Sequence, residues 1–328
     1  MFFVSHLAVR SYSQLSTPEI KTETFKDGVE HWYVVEPANG GSYFGRWFQQ
    51  IHNVRFLKNP QAFGKSIAFL VGVGTYHNFS PQLQESVHND LVEMRDLLLR
   101  EMGFDEVYIA KDDIVNRDLI EEYIKGKIAT GASEHDRLLF YYSGHGDTNR
   151  GTTGYMLFGG AQKGQFYSPQ VLAVNTLKDW SRELKFQHML FILDSCASGL
   201  AFTSKSPPRD RLLETLSGNG SRTVLTAGTA EEATYEVPDR NSLRNGVFTA
   251  ALLRAFRSAD LDDTVLVTVS DLFARVEKVM AEFRANNPVV MTTPQIVRLD
   301  ESDYRGTFVF YNLRVTHGHL PKEQAEAL

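Results

Sequence analysis

Cys196 is the only cysteine among 328 residues. The chain therefore has no internal disulfide and no cysteine metal cluster, which leaves this thiol three occupations: packing, regulation or catalysis. It lies in residues 190–199, LFILDSCASG, where a continuous apolar run gives way to small polar residues. A free thiol, with a pKa of about 8.5, is mostly protonated at neutral pH, so attack on a carbonyl requires a base or a charge-stabilising neighbour. Of the ten histidines, one is placed to serve. His145 sits between Gly144 and Gly146 at the end of a second apolar run, residues 137–142 (RLLFYY). With glycine on each side, a substrate backbone can approach and the Gly146 N–H can face a ligand. Most of the others have ordinary settings: His6, His31 and His52 near the start, His135 before a strand, His188 at a strand edge, and His317 and His319 in the tail.

Both candidates stand where short apolar runs stop, and such runs are the mark of strands buried on both faces of a parallel sheet. The C-terminal edge of that kind of sheet is where loops gather side chains from different strands. Further strands are expected at 65–73 (KSIAFLVGV), 106–110 and 154–158, then at 222–227 (RTVLTA), 294–299 and 307–311, the last two at the sheet edge. Helical spacing of apolar residues predicts a helix over 87–102 ending at Gly103, and a second opening at Asn116 and running to about 128. A third helix is expected to start at Ser168-Pro169, with proline in the first turn. Two more are expected over 246–256 and 269–280, the latter capped by Ser270. Alternating strands and helices imply a sheet covered on both faces. In the first 64 residues, Asp27-Gly28 between alternating stretches signals a hairpin.

The pair SGHG (143–146) and DSCASG (194–199) resembles the catalytic signature of caspase-like cysteine peptidases, and the Asp before the Cys resembles the metacaspase and bacterial caspase-like branch. The separation, 196 − 145 = 51 residues, agrees with the spacing of roughly 50 in that signature. The resemblance implies an α/β fold, a caspase-like three-layer sandwich whose mostly parallel central sheet has about six strands flanked by helices. The peptidase domain would span 65–312, with an N-terminal extension over 1–64, a possible hairpin or pro-segment, and a tail over 313–328.

It also implies roles. His145 would activate Cys196, and the backbone N–H groups of Gly146 and Cys196 would bind the oxyanion. Asp194 would line the pocket for the side chain before the cut, and a carboxylate there selects Arg or Lys. A second acid is expected from TAGTAEEATYE (226–236), with Glu232 and Glu236 preferred over Glu231. No third side chain orienting the histidine is evident, since Asp136 and Asp147 are near in sequence but need not point towards it. The position after the catalytic cysteine, usually His in metacaspases, is Ala197 here. Residues 147–154, DTNRGTTG, carry one acid where many metacaspases have an Asp-rich calcium loop, so no cofactor is expected and a calcium requirement is unsupported. Asp112 and Asp113 read as surface charge. The stretch 201–222, rich in proline, glycine and polar residues, reads as an exposed loop. It holds Lys205, Arg209, Arg211 and Arg222, and the first three are the expected processing sites.

Composition excludes some partners. Thirty-four Lys and Arg against 40 Asp and Glu give a net charge of −6, so there is no broad basic field for nucleic acid. No stretch has the length of a membrane span, and the start (MFFVSHLAVRS) matches a secretory signal poorly. A lone cysteine fits a reducing, cytoplasmic setting. The reading is thus a cysteine endopeptidase acting on a protein or peptide with a basic residue before the cut. It would be held latent as a zymogen until an activating protease or regulatory protein acts. The alternatives are a catalytically weak caspase-fold interaction or scaffold protein and, with no motif of its own, an esterase.

Overall fold

The apolar runs read from the sequence carry a strict two-residue alternation between two cores. Leu70, Tyr141 and Ile192 face one cluster, while Phe69, Phe140 and Phe191 face the other. Burial of both faces is what makes these strands uniformly apolar. The computed structural model describes residues 19–35, 64–195, 219–228, 244–262, 264, 266–286, 292–299 and 306–316.

In chain order the elements begin with β1 (Ile20–Thr24) and β2 (Glu30–Val34), a hairpin that turns at Asp27-Gly28. There follow β3 (Ser66–Gly72), α1 (Gln84–Arg100), β4 (Glu106–Lys111) and α2 (Arg117–Glu121), which continues as a π-helix over Glu122–Ile128. Next come β5 (Arg137–Ser143), β6 (Gly146–Asn149), β7 (Thr153–Leu157), β8 (Val171–Ala173), α3 (Thr176–Glu183) and β9 (His188–Asp194). The last are β10 (Ser221–Thr226), α4 (Val247–Phe256), β11 (Leu266–Thr268), α5 (Val269–Asn286), β12 (Gln295–Arg298) and β13 (Val309–Tyr311).

The main sheet has the order β1-β2-β4-β3-β5-β9-β10-β12. Its five inner strands, β4 through β10, are parallel, and β12 pairs antiparallel with β10. Those six strands form the expected central sheet, and the hairpin adds two more by pairing β2 antiparallel to β4. Helices α1, α4 and α5 cover one face, and α2, α3 and the small sheet β6-β7-β8 cover the other. Among the described residues, no helix is long and apolar enough to cross a membrane.

Local signals explain most boundaries. Asn116 caps α2 by accepting the Leu119 N–H at 2.9 Å. Three expectations need correction. Ser168-Pro169 opens no helix: Val171 N–H bonds the Ser168 carbonyl at 3.2 Å in a turn leading into β8, because a proline suited to a first helical turn suits a tight turn equally well. Helix α5 is capped by Thr268, whose Oγ1 accepts the Asp271 N–H at 3.1 Å and donates back to Asp271 Oδ2 at 2.7 Å, and Ser270 lies inside the helix. Strand β13 pairs with β11 in a separate two-stranded sheet rather than at the main sheet's edge.

Arg222, placed by the sequence both at the end of the loop 201–222 and at the start of the strand 222–227, belongs to the strand. It lies in β10, 3% exposed, and its guanidinium donates to the carbonyls of Ser181, Leu184, Phe186, Gln187 and Ser221. That fork ties the end of α3 to the start of β9 and leaves Arg222 inaccessible to a protease. Arg222→Ala strands several buried carbonyls, so it is expected to destabilise the fold by about 3 kcal/mol, measurable as a lowered urea midpoint with unchanged slope.

Candidate active site

Strands β5 and β9 are parallel neighbours, and their last residues, Ser143 and Asp194, stand opposite one another. The chain leaving β5 turns tightly there. Gly144 N–H donates to the Asp194 carbonyl at 3.2 Å. A Cβ at Gly144 would meet the Tyr76 and Tyr142 hydroxyls at 2.6 and 2.7 Å, so only glycine lets the backbone approach this closely.

His145 follows, fixed by its backbone and by its ring. Its N–H donates to Tyr76 Oη at 2.7 Å, and its carbonyl accepts the Leu157 N–H at 3.0 Å. The Tyr76 ring packs 4.6 Å from the imidazole. Nε2 lies 2.8 Å from the Pro81 carbonyl. A carbonyl can only accept, so Nε2 carries the proton and Nδ1 is the basic nitrogen of the neutral ring. The group that orients the ring, which the sequence does not reveal, is thus a backbone carbonyl. Asp136 lies at the opposite end of β5, accepting the Ser133 and Lys65 N–H groups, and Asp147 accepts the Thr148 N–H at 2.7 Å.

Gly146 opens β6, an edge strand of the small sheet. Since Leu157 N–H bonds the His145 carbonyl, Gly146 stands opposite Met156 at a non-hydrogen-bonded position, and its N–H faces away from β7. That amide is free to serve a ligand.

Asp194 is buried, 8% exposed. One oxygen, Oδ2, accepts the Thr249 hydroxyl at 2.6 Å and the Thr249 N–H at 3.1 Å. A second carboxylate stands beside it. Asp90 on α1 accepts the Ser143 hydroxyl at 2.8 Å and the Gly246 N–H at 3.1 Å. A Cβ at Gly246 would lie 2.8 Å from Asp194 Oδ2 and 3.2 Å from Asp90 Oδ2, so both acids converge on one point. Burial, and then the neighbouring Asp194 charge, push the Asp90 carboxyl well above the usual carboxylate range. Burial, and then the Asp90 and Asp194 charges, raise the Tyr141 hydroxyl, which lies 2.7 Å from Thr249 Oγ1.

Structure therefore brings Asp194 together with Ser143 and Asp90, two groups absent from the sequence-based site. Asp90 had one visible signal: it occupies the apolar stripe of α1 with Val87, Leu91 and Met94, where a carboxylate is out of place. Cys196, Glu232, Glu236, Lys205, Arg209 and Arg211 lie outside the described residues.

A mostly parallel sheet between two helical layers, with a Gly-His turn at one strand end and an acid at the next, defines a caspase-like α/β fold. The chain belongs to the Caspase domain family, whose profile matches residues 65–301. Among solved structures it is similar to caspase-1 from Spodoptera frugiperda, at 14% identity and a TM-score of 0.51, covering 78% of this chain and 92% of that one. No match was found among curated protein sequences.

Proposed function

We propose that the protein is a cysteine endopeptidase that cuts after Arg or Lys. The buried acidic pair Asp90 and Asp194 carries the specificity reading. Two carboxylates converging on one small volume with the Ser143 hydroxyl repel each other when empty, and a guanidinium or ammonium relieves that repulsion. A cation entering beside the pair offsets the burial and the Asp194 charge that raise the Asp90 carboxyl, and so favours both carboxylates in their ionised form.

In the chemical step, the Cys196 sulfur adds to the scissile carbonyl while His145 Nδ1 takes the thiol proton. The Gly146 N–H, together with that of Cys196, binds the oxyanion. The carbon–nitrogen bond then breaks, the imidazolium protonates the leaving amine, and water hydrolyses the thioester, returning the proton to sulfur through His145. Pro81's carbonyl holds the ring so that the same nitrogen serves both transfers. The reaction so read uses only the chain's own groups. Latency would be relieved by cutting at Lys205, Arg209 or Arg211, or by a regulatory partner. Glu232 and Glu236 are proposed to complete the pocket.

Because the chain has one cysteine, alkylation tests the thiol selectively. Fluorogenic peptides ending in Arg, Lys or Asp are incubated with the protein, with and without calcium and limited proteolysis, before and after iodoacetamide. Turnover of the Arg and Lys peptides, lost on alkylation, is expected. Thiol-independent turnover or none at all would remove the peptidase reading, and Asp-selective turnover would remove the pocket assignment alone.

A further inference from the structure

We propose that Gln82 and Asp112 are positioning residues for His145, clamping the loop 74–83 so that its two contact points meet the imidazole. The proposal rests on reading His145 as the base of the dyad.

Loop 74–83 joins the end of β3 to α1. It supplies two of the groups that fix His145: the Tyr76 hydroxyl on the backbone N–H at 2.7 Å and, on the ring itself, the Pro81 carbonyl on Nε2 at 2.8 Å. The shape of this loop therefore determines the orientation of the ring. At its base the Leu83 N–H donates to the Gly74 carbonyl at 2.8 Å. Across its middle runs Gln82. The Gln82 oxygen accepts the Tyr76 N–H at 2.7 Å, and its nitrogen donates to the Tyr76 carbonyl at 2.7 Å and to the Phe79 carbonyl at 3.2 Å. Gln82 is an exposed residue, and an exposed amide is ordinarily served by water. This one instead satisfies both backbone groups of Tyr76 from the residue next to Pro81, drawing the two contact points into one unit.

Asp112 holds the other flank. It follows β4 and adopts a φ of 53°, in the left-handed region that a residue with a Cβ avoids. That backbone turns its carboxylate back over the end of β3, where Oδ1 accepts the Gly74 and Thr75 N–H groups at 2.9 and 3.0 Å. Strain of this kind persists where surroundings hold it, and it gathers at functional sites. Gly74 belongs to the same arrangement, since a Cβ there would lie 2.6 Å from the Gln84 Cα. Both residues act on His145 through Tyr76 and Pro81.

The test uses full-length protein labelled with ¹⁵N-histidine, the His145 ring signal being assigned by its loss in His145→Ala. In wild type, the Nε2–H resonance is expected to be protected from exchange by the Pro81 carbonyl. Asp112→Asn keeps an acceptor oxygen and tolerates the left-handed backbone, so it should match wild type. Gln82→Ala and Asp112→Gly should exchange that proton at least about tenfold faster and lower kcat about ten- to a hundredfold, with KM held within about twofold. Asp112→Gly relieves the backbone strain, so its Tm should not fall below that of Asp112→Ala although it too lacks the clamp. Protection retained in both Gln82→Ala and Asp112→Gly overturns the proposal, as does activity that merely follows Tm across the series. If wild type shows no thiol-dependent turnover, the peptidase reading fails, and the ring signal still decides the positioning.

Discussion

His145→Ala is expected to lower kcat for an Arg peptide by about a thousandfold while leaving KM and Tm close to wild type. The asymmetry follows from which bonds the substitution removes. Its N–H bond to Tyr76 and the Leu157 bond to its carbonyl are backbone interactions that alanine keeps. Among the described residues, what is lost is the Nε2 bond to the Pro81 carbonyl and the ring's packing on Tyr76 and Phe79. The acidic pair stands on other elements, α1 and β9, and on the proposed reading would hold substrate without the imidazole. On the proposed mechanism, what disappears is the proton acceptor for the thiol and the proton donor for the leaving amine, both of which act in the transition state. Steady-state kinetics on the Arg peptide checks this, and a rise in KM of the same size as the fall in kcat would place His145 in substrate binding instead.

Asp90→Asn is expected to stabilise the empty protein at neutral pH and to cut kcat/KM for Arg and Lys peptides by roughly a hundredfold, equivalent to ~2.7 kcal/mol of transition-state binding. Stability and activity move in opposite directions because the wild-type carboxyl is held above its ordinary pKa by burial and by Asp194. A group raised on folding contributes stability that is complete below its unfolded pKa and is lost as pH rises through its folded pKa. Wild type therefore gives up stability across that interval, and asparagine, which has no proton to lose, does not. The Tm difference between variant and wild type should grow as pH rises through it. Binding has the opposite sign. If the pair binds a substrate cation as proposed, both carboxylates must be ionised, so wild-type KM for Arg peptides should fall over the same interval, and the variant should lose that dependence. A thermal-shift series and KM measured against pH test both halves, and an Asp90→Asn enzyme with undiminished Arg cleavage would remove the acid from the pocket.

Much of this molecule was legible in its sequence because strand burial writes itself into residue type. Runs such as RLLFYY and LFIL are apolar throughout since each strand is covered on both faces, and the motifs His145 and Asp194 stand where those runs stop. Signals that serve two structures equally were the ones misread. Ser168-Pro169 fits a helix start or a turn, and the choice fell to the pairing of Val171 and Leu172 with β7. Arg222 stands where the loop and strand readings meet, and the burial of its guanidinium reveals itself only through the carbonyls around it.

Sequence by itself determined that the chain builds a mostly parallel sheet, that a histidine and an acid stand at the ends of two buried strands, and that a single thiol follows them. These properties are local, carried by residue type and short spacing. Tertiary structure alone decided which groups meet there. Asp90 joins Asp194 from a helix distant in the chain, and the Pro81 carbonyl that orients His145 belongs to the backbone, where every residue is alike. Contacts across long separations and contacts made by main-chain atoms leave no mark on residue type, so only the fold could reveal them.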